Sequence, residues 1–269
     1  MTTPPFHRGG TGEPLVLLHG ITMSWAAWRP VIDAFERHHE VFAPTLAGHR
    51  GGVPWPEGAP FDMNTLVDAL EAQLDAVGLD TVHVMGNSLG GWAALELARR
   101  GRARSCVAFS PAGTWRKPRD LAQLVTFFKL ALRLGTPDWM RRLAQNPTAR
   151  KLMLSRIMQH AERIPASDVD DFFDDIEECT MIGEFLDGAL ADGGLAPFTS
   201  LPCPIRVAWG VHDGVIPWAR YGEPMYAKLP GADFRSLPTC GHVPMWDDPE
   251  LTVRATLQVT APHVLSTAA

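Results

Sequence analysis

One short stretch of this 269-residue chain carries residues arranged for nucleophilic chemistry: Gly86-Asn87-Ser88-Leu89-Gly90-Gly91. A serine hydroxyl attacks poorly at its own pKa and needs a neighbouring base, so its placement decides whether it can react. At an average glycine usage of about 7%, with serine taken as similarly common, Gly-x-Ser-x-Gly arises by accident in roughly one chain in ten of this length. The setting is more selective than the motif. Val82-His83-Val84-Met85 reads as a short buried strand and Trp92 to Ala98 as a small-residue helix. Ser88 therefore stands at a strand-turn-helix corner, its hydroxyl projecting from the top of a sheet. Gly86 and Gly90 lie two residues either side of it, where any Cβ would crowd a backbone turned that tightly. Gly91 lets the helix close on its strand.

This arrangement resembles the α/β-hydrolase family, and the likeness extends beyond the corner. Leu15-Val16-Leu17-Leu18-His19-Gly20-Ile21 is similar to that family's strand and His-Gly oxyanion loop; Gly210-Val211-His212-Asp213 and Gly241-His242 are similar to its acid and base loops. Nucleophile, acid and base then follow in the family's order as Ser88, Asp213 and His242. The resemblance implies that His242 activates Ser88, Asp213 fixes the imidazole tautomer, and the backbone N–H groups of Ile21 and Leu89 receive the oxyanion. Where the family more often shows Pro-Gly-His-Gly, this chain has Ala47-Gly48-His49-Arg50, and His49 is read as structural. His212 is read as a solvent-facing turn residue. Asp247 and Asp248 lie close to His242, but Asp248-Pro249-Glu250 has the signature of a capped helix start, which makes both poor candidates for the acid.

The resemblance also narrows the chemistry. Haloalkane dehalogenases and epoxide hydrolases of this family use an aspartate where Ser88 stands, and epoxide hydrolases add tyrosines from an inserted cap. The only tyrosines here, Tyr221 and Tyr226, fall after that segment. Carbon–carbon bond hydrolases of ring-cleavage products share Gly-Asn-Ser-x-Gly-Gly, but typically carry a glycine-rich oxyanion loop and a tryptophan after the catalytic histidine. This chain has Ile21-Thr22-Met23-Ser24 and Val243 there. The expected activity is hydrolysis of small to medium, uncharged apolar carboxylic esters through an acyl-enzyme. The alternatives are a carbon–carbon hydrolase of ring-cleavage-type diketones and a non-catalytic ligand-binding member of the fold.

The elements that must hold these loops are legible as alternating strands and helices. Continuous apolar runs at Leu15–His19, Val41–Ala43, Val82–Met85, Ser105–Phe109 and Ile205–Trp209 suit a parallel sheet covered on both faces. Asp233–Leu237 reads as the last strand, and any opening hairpin within Phe6–Pro14 must be short. Amphipathic helices are expected through Val31, Ile32 and Phe35, and over Met63–Val77 with Gly78 ending it. The expected fold is α/β, a mostly parallel doubly wound sheet with an inserted all-helical cap. Residues 1–114 and 197–269 would form the core and 115–196 the cap. Within the cap, apolar spacing predicts helices over Asp120–Leu134 and Lys151–Ile164, with a third opened by Pro165-Ala166-Ser167. The first turn of that third helix holds Asp168, Asp170 and Asp171, favoured by the positive helix terminus. Asp174, Asp175, Glu177 and Glu178 are read as its outer face, the run being a wet surface rather than a metal site.

Composition sets the remaining limits. A formal charge of -6 with no lysine- or arginine-rich tract argues against nucleic acid. The polar, Gly/Pro-rich N-terminus lacks the apolar core of a signal peptide, and no apolar run reaches membrane-spanning length, so a cytoplasmic protein without a membrane partner is expected. The scattered Cys106, Cys179, Cys203 and Cys240 are read as free thiols. No phosphate loop, zinc helix or dinucleotide fingerprint occurs, so no cofactor and no metal are expected, and the partner is an apolar small-molecule substrate. His38-His39 beside Glu36 and Glu40 is read as polar surface. The cap is rich in large apolar side chains, among them Phe127, Phe172 and Phe185. Those expected to face Ser88 are Trp115, Phe128, Trp139, Met158, Phe173 and Met181, with Val243 from the base loop.

Overall fold

The computed structural model describes residues 4–189 and 191–262. Seven strands form one sheet: β1 (Phe6–Gly10), β2 (Glu13–Leu18), β3 (His39–Pro44), β4 (Val82–Asn87), β5 (Ala103–Phe109), β6 (Ile205–Gly210) and β7 (Asp233–Leu237). Their order is β1-β3-β2-β4-β5-β6-β7, and every neighbouring pair is parallel except β1 with β3. The opening segment is therefore no hairpin. β1 passes over β2 and pairs with β3, Phe6 opposite Pro44 and Gly10 opposite Glu40.

Strand alternation explains why the central runs are apolar throughout. Successive side chains point to opposite faces, so Val16, Leu18, Val84 and Cys106 enter one core while Leu15, Leu17, Met85 and Val107 enter the other. The first core is closed by α2 (Met63–Ala76) and α3 (Leu89–Arg99), and the second by α1 (Arg29–Glu36) and α11 (Pro249–Thr260). The Asp62 carboxylate caps α2 by accepting from Thr65 N at 3.2 Å. Asp248 caps α11 likewise, accepting from Leu251 N at 2.9 Å with Pro249 at the first helical position.

The longest connection between successive strands is the one from β5 to β6. It holds five helices: α4 (Pro118–Leu134), α5 (Asp138–Ala144), α6 (Pro147–Met153), α7 (Ala166–Glu177) and α8 (Ile182–Gly188). The stripe expected to run as one helix from Lys151 to Ile164 breaks after Met153, and only a 3₁₀ turn, Ala161–Arg163, follows. Leu152, counted in that stripe, is 78% exposed. The organiser is instead Arg150, buried with no carboxylate on its guanidinium among the described residues. Its guanidinium donates to the carbonyls of Ala144 at 2.6 Å, Ala161 at 2.8 Å, Glu162 at 3.2 Å and Ile164 at 2.7 Å. Five fixed donors suit one arginine to hold a chain reversal that no helix could make.

Four acids of α7, Asp168, Asp171, Asp174 and Asp175, are paired rather than solvated, while Asp170 and Glu177 stay exposed. Asp175 is buried and accepts from Arg50 Nε at 2.6 Å and Ser24 Oγ at 2.8 Å. Asp171 accepts from Arg50 at 2.9 Å and Arg29 at 2.6 Å, Asp168 from Arg29 at 2.9 Å, and Asp174 from Arg141 at 2.6 Å. Burial pushes the Asp175 carboxyl up, while its neighbour Asp171 is held down by Arg50 and Arg29 against the opposing effect of its own partial burial. The residue that departs from the family's usual loop, Arg50, is thus the ion that ties the helical insert to the sheet. His39, read above as surface, is also buried: its ring sits between the Glu13 carbonyl and the Thr260 hydroxyl, each at 3.0 Å.

Among the described residues, no helix is long and apolar enough to cross a membrane. The four cysteines are free, and Cys106, Cys179 and Cys240 are buried.

Candidate active site

The corner at Ser88 is as tight as the glycine spacing demands. A Cβ on Gly86 would lie 2.1 Å from Gly90 O, and one on Gly90 would lie 2.2 Å from Leu18 O. Ser88 itself adopts φ 56 and ψ -116, a conformation that costs a non-glycine residue of order 1–3 kcal/mol and persists only where surroundings impose it. Ser88 N donates to Phe109 O at 3.0 Å, while Ser88 O accepts from Trp92 N at 3.1 Å and Ala112 N at 2.9 Å. Thr22 is a second strained position, with φ 61, in the loop after β2. Both residues line the same cavity.

Asp213 and His242 come from the loops after β6 and β7, and they meet. His242 Nδ1 and Asp213 Oδ2 are 2.7 Å apart in a buried pair. The other carboxylate oxygen, Oδ1, accepts from Val215 N and Ile216 N, each at 2.9 Å. With Oδ2 facing the ring, Nδ1 is the protonated nitrogen and Nε2 is left as an acceptor. Ser88 and His242 line one cavity, and the Ser88 hydroxyl makes no hydrogen bond among the described residues.

The base loop is held from three sides that motif reading did not single out. Asn87 Nδ2 donates to His242 O at 2.8 Å and to Phe109 O at 3.1 Å. His242 N donates to Ile157 O at 2.7 Å, and Gly214 N in the acid loop donates to Arg156 O at 3.1 Å. One strap of the helical insert therefore fastens both loops through backbone atoms, which no side-chain pattern can signal. Asp247 completes the set, its carboxylate accepting from Gly241 N at 2.7 Å and His160 N at 2.8 Å. Asp247 is fully buried with one oxygen on each of these backbone donors, so it fixes the shape of the loop that carries His242.

His19 and His49 underpin the opposite wall. His19 Nδ1 is 2.8 Å from Gly20 O, and Nε2 accepts from Leu46 N at 2.9 Å, so the ring bridges the loop after β2 to the loop after β3. A Cβ on Gly20 would lie 3.3 Å from Ser88 Cβ, which sets the Gly20-Ile21 backbone against Ser88. Leu89, the first residue of α3, has an N–H with no acceptor inside its helix. His49 packs edge-on to His19 at 4.8 Å and is buried outside the cavity. Burial lowers the His49 pKa to about 4 and takes His19 well below the usual histidine range, so both are neutral rings. His212 is exposed.

The cavity beside Ser88 measures about 60 Å³. Of the seven side chains expected to face it, Phe128 and Val243 do. The other five lie elsewhere. Trp115 lines a neighbouring chamber, Met158 and Phe173 are buried in the second core, Met181 packs on Gly48, and Trp139 is 59% exposed. Their places are taken by Met23, Phe127, Ile157, Phe172 and Val215. Helical spacing marks a residue as buried without saying which of two faces the insert presents to Ser88.

Comparison with known proteins follows from this geometry. The family model described as the alpha/beta hydrolase family matches residues 15–255. The chain belongs to that family. It is 33% identical over 207 residues to epoxide hydrolase EphH of Mycobacterium tuberculosis, covering 74% of this chain and 96% of that protein. It is 38% identical over 112 residues to 2-hydroxy-6-oxo-2,4-heptadienoate hydrolase of Pseudomonas putida, 40% of each. Among solved structures, the enol-lactonase from Burkholderia xenovorans superposes with a TM-score of 0.71 at 18% identity, covering 94% of this chain and 95% of that one, a likeness of fold. The relatives are hydrolases, and this α/β-hydrolase is an enzyme of that class.

Proposed function

We propose that this hydrolase cleaves small to medium, uncharged apolar carboxylic esters through an acyl-enzyme on Ser88. The observation that carries the reading is one cavity in which Ser88 and an Asp213-oriented His242 meet a wall of Met23, Phe127, Phe128, Ile157, Phe172, Val215 and Val243. His242 Nε2 takes the Ser88 proton as Oγ attacks the ester carbonyl. The oxyanion accepts from Ile21 N–H and Leu89 N–H, and the alkoxide leaves with the proton now on His242. Water then repeats the sequence on the acyl-enzyme. A space of about 60 Å³ suits a small acyl group.

Two relatives support other bonds. The heptadienoate hydrolase of Pseudomonas putida favours carbon–carbon cleavage, but a dienoate carries a carboxylate and no arginine or lysine lines this cavity. The epoxide hydrolase relative favours ring opening by a carboxylate nucleophile, whereas the elbow here holds serine. Tyr221 is bound to Asp120 O and Tyr226 lies in a groove beside β7, neither of them at Ser88. Purified protein assayed on p-nitrophenyl butyrate, 2-hydroxy-6-oxohepta-2,4-dienoate and styrene oxide separates the three. The expected order has the butyrate ester fastest in kcat/KM, with activity lost in Ser88→Ala. A faster dienoate would move the assignment to carbon–carbon cleavage. A Ser88 that no fluorophosphonate labels would make the protein a binding member of the fold.

A further inference from the structure

A second chamber of about 40 Å³ shares the lining residue Phe128 with the Ser88 cavity. Its roof is a stripe of α4, Leu121, Leu124, Val125 and Phe128, at the i, i+3, i+4, i+7 spacing of one helix face. Trp92 of the elbow helix and Ile216 of the acid loop bound it from the core side, directly after Val215, which lines the first cavity.

The chamber's polar groups are mostly spent. Thr114 Oγ1 donates to Tyr221 O, and Tyr221 OH donates to Asp120 O at 2.6 Å. The Trp92 indole N–H is buried with no partner among the described residues. It holds no charged side chain. Hydrocarbon suits such walls, since apolar surface gains by leaving water while an unmatched polar group loses.

We propose that this chamber is the subsite for the distal, apolar end of the substrate's tail, and that Phe128 is the partition a tail displaces to reach it. The proposal rests on the Ser88 nucleophile argued above. The chamber adds about 40 Å³ of apolar space to that of the first cavity. Tails longer than butyl, octyl among them, then reach into both spaces. Each methylene placed there raises the rate about fourfold if its burial is realised in the transition state.

The test is the rate at which Ser88 is modified by methyl, butyl and octyl fluorophosphonates, which does not depend on which bond the natural substrate breaks. Ser88 Oγ forms the O–P bond, fluoride leaves, and the hydroxyl proton passes to His242. In the native protein octyl should label at least tenfold faster than butyl. Leu124→Trp fills the chamber without touching the first cavity, and should erase that preference while leaving butyl labelling unchanged. Phe128→Ala, which removes the partition, should raise octyl labelling further. If octyl labels no faster than butyl, or if Leu124→Trp leaves the octyl advantage intact, the chamber takes no tail and the proposal fails. If methyl and butyl reagents do not label at all, the nucleophile assignment fails instead.

Discussion

Replacing Asp213 by asparagine tests how the candidate triad is wired, because the structure fixes which way the amide would point. In the native protein Oδ1 accepts from two backbone donors, Val215 N and Ile216 N, and Oδ2 faces His242 Nδ1 at 2.7 Å. An asparagine that turned its NH2 toward Val215 and Ile216 would bury donor against donor. It would lose two hydrogen bonds at about 1–3 kcal/mol for each unmatched group. The amide oxygen therefore stays on those N–H groups and the NH2 faces Nδ1. Nδ1 must then accept, the ring proton moves to Nε2, and Nε2 presents a donor to Ser88 where an acceptor is needed. Such a tautomer trap costs on the order of 10⁴ in kcat, about 5.5 kcal/mol of transition-state stabilisation. Asp247→Asn is the contrast. Asp247 accepts from Gly241 N and His160 N with separate oxygens, so the amide satisfies one and opposes the other. Its cost of roughly 2–3 kcal/mol falls on stability, with kcat reduced about tenfold or less. Ester turnover and fluorophosphonate labelling of both variants, paired with thermal melts, give the answer. An Asp213→Asn enzyme within tenfold of native, or an Asp247→Asn enzyme that loses 10⁴ in kcat while melting normally, would refute this wiring.

Other outcomes follow from the buried charges. Arg50→Met leaves Asp175 buried without its ion and should destabilise the protein by about 3–5 kcal/mol in denaturant titration, whereas Arg50→Met with Asp175→Leu should recover most of the loss. A double variant as unstable as the single one would show that the pair does not carry the docking of α7. Acid stability should follow His49 and His19, whose folded pKa values lie below the unfolded value of about 6.5. The unfolded chain then binds more protons below pH 6.5, so stability is complete above that pH and is lost as pH falls toward about 4, by on the order of 3 kcal/mol for His49 alone. Melts from pH 7.5 to 4 on native protein and His49→Gln check this, and equal slopes for the two would exclude His49 as a source.

What the amino-acid order determines by itself is local. Gly86-Asn87-Ser88-Leu89-Gly90 can make only one kind of corner, because the backbone approaches within 2.1–2.2 Å of where a side chain would begin. Unbroken apolar strands declare a sheet covered on both faces, and Asp248-Pro249 declares a helix start. Tertiary structure decides whatever depends on partners far along the chain. The acids of α7 look like a wet surface until Arg50 and Arg29, more than 120 residues earlier, are brought onto them. Arg150 looks like a surface cation, yet it closes a turn on carbonyls its own sequence neighbourhood cannot reveal. Periodicity likewise could mark the insert's aromatic residues as buried. It could not say that Phe127 and Phe172 face Ser88 while Phe173 packs among the insert's own helices and Met181 on Gly48. The two destinations are equally apolar, and only the packing of α4 and α7 on the loops below distinguishes them.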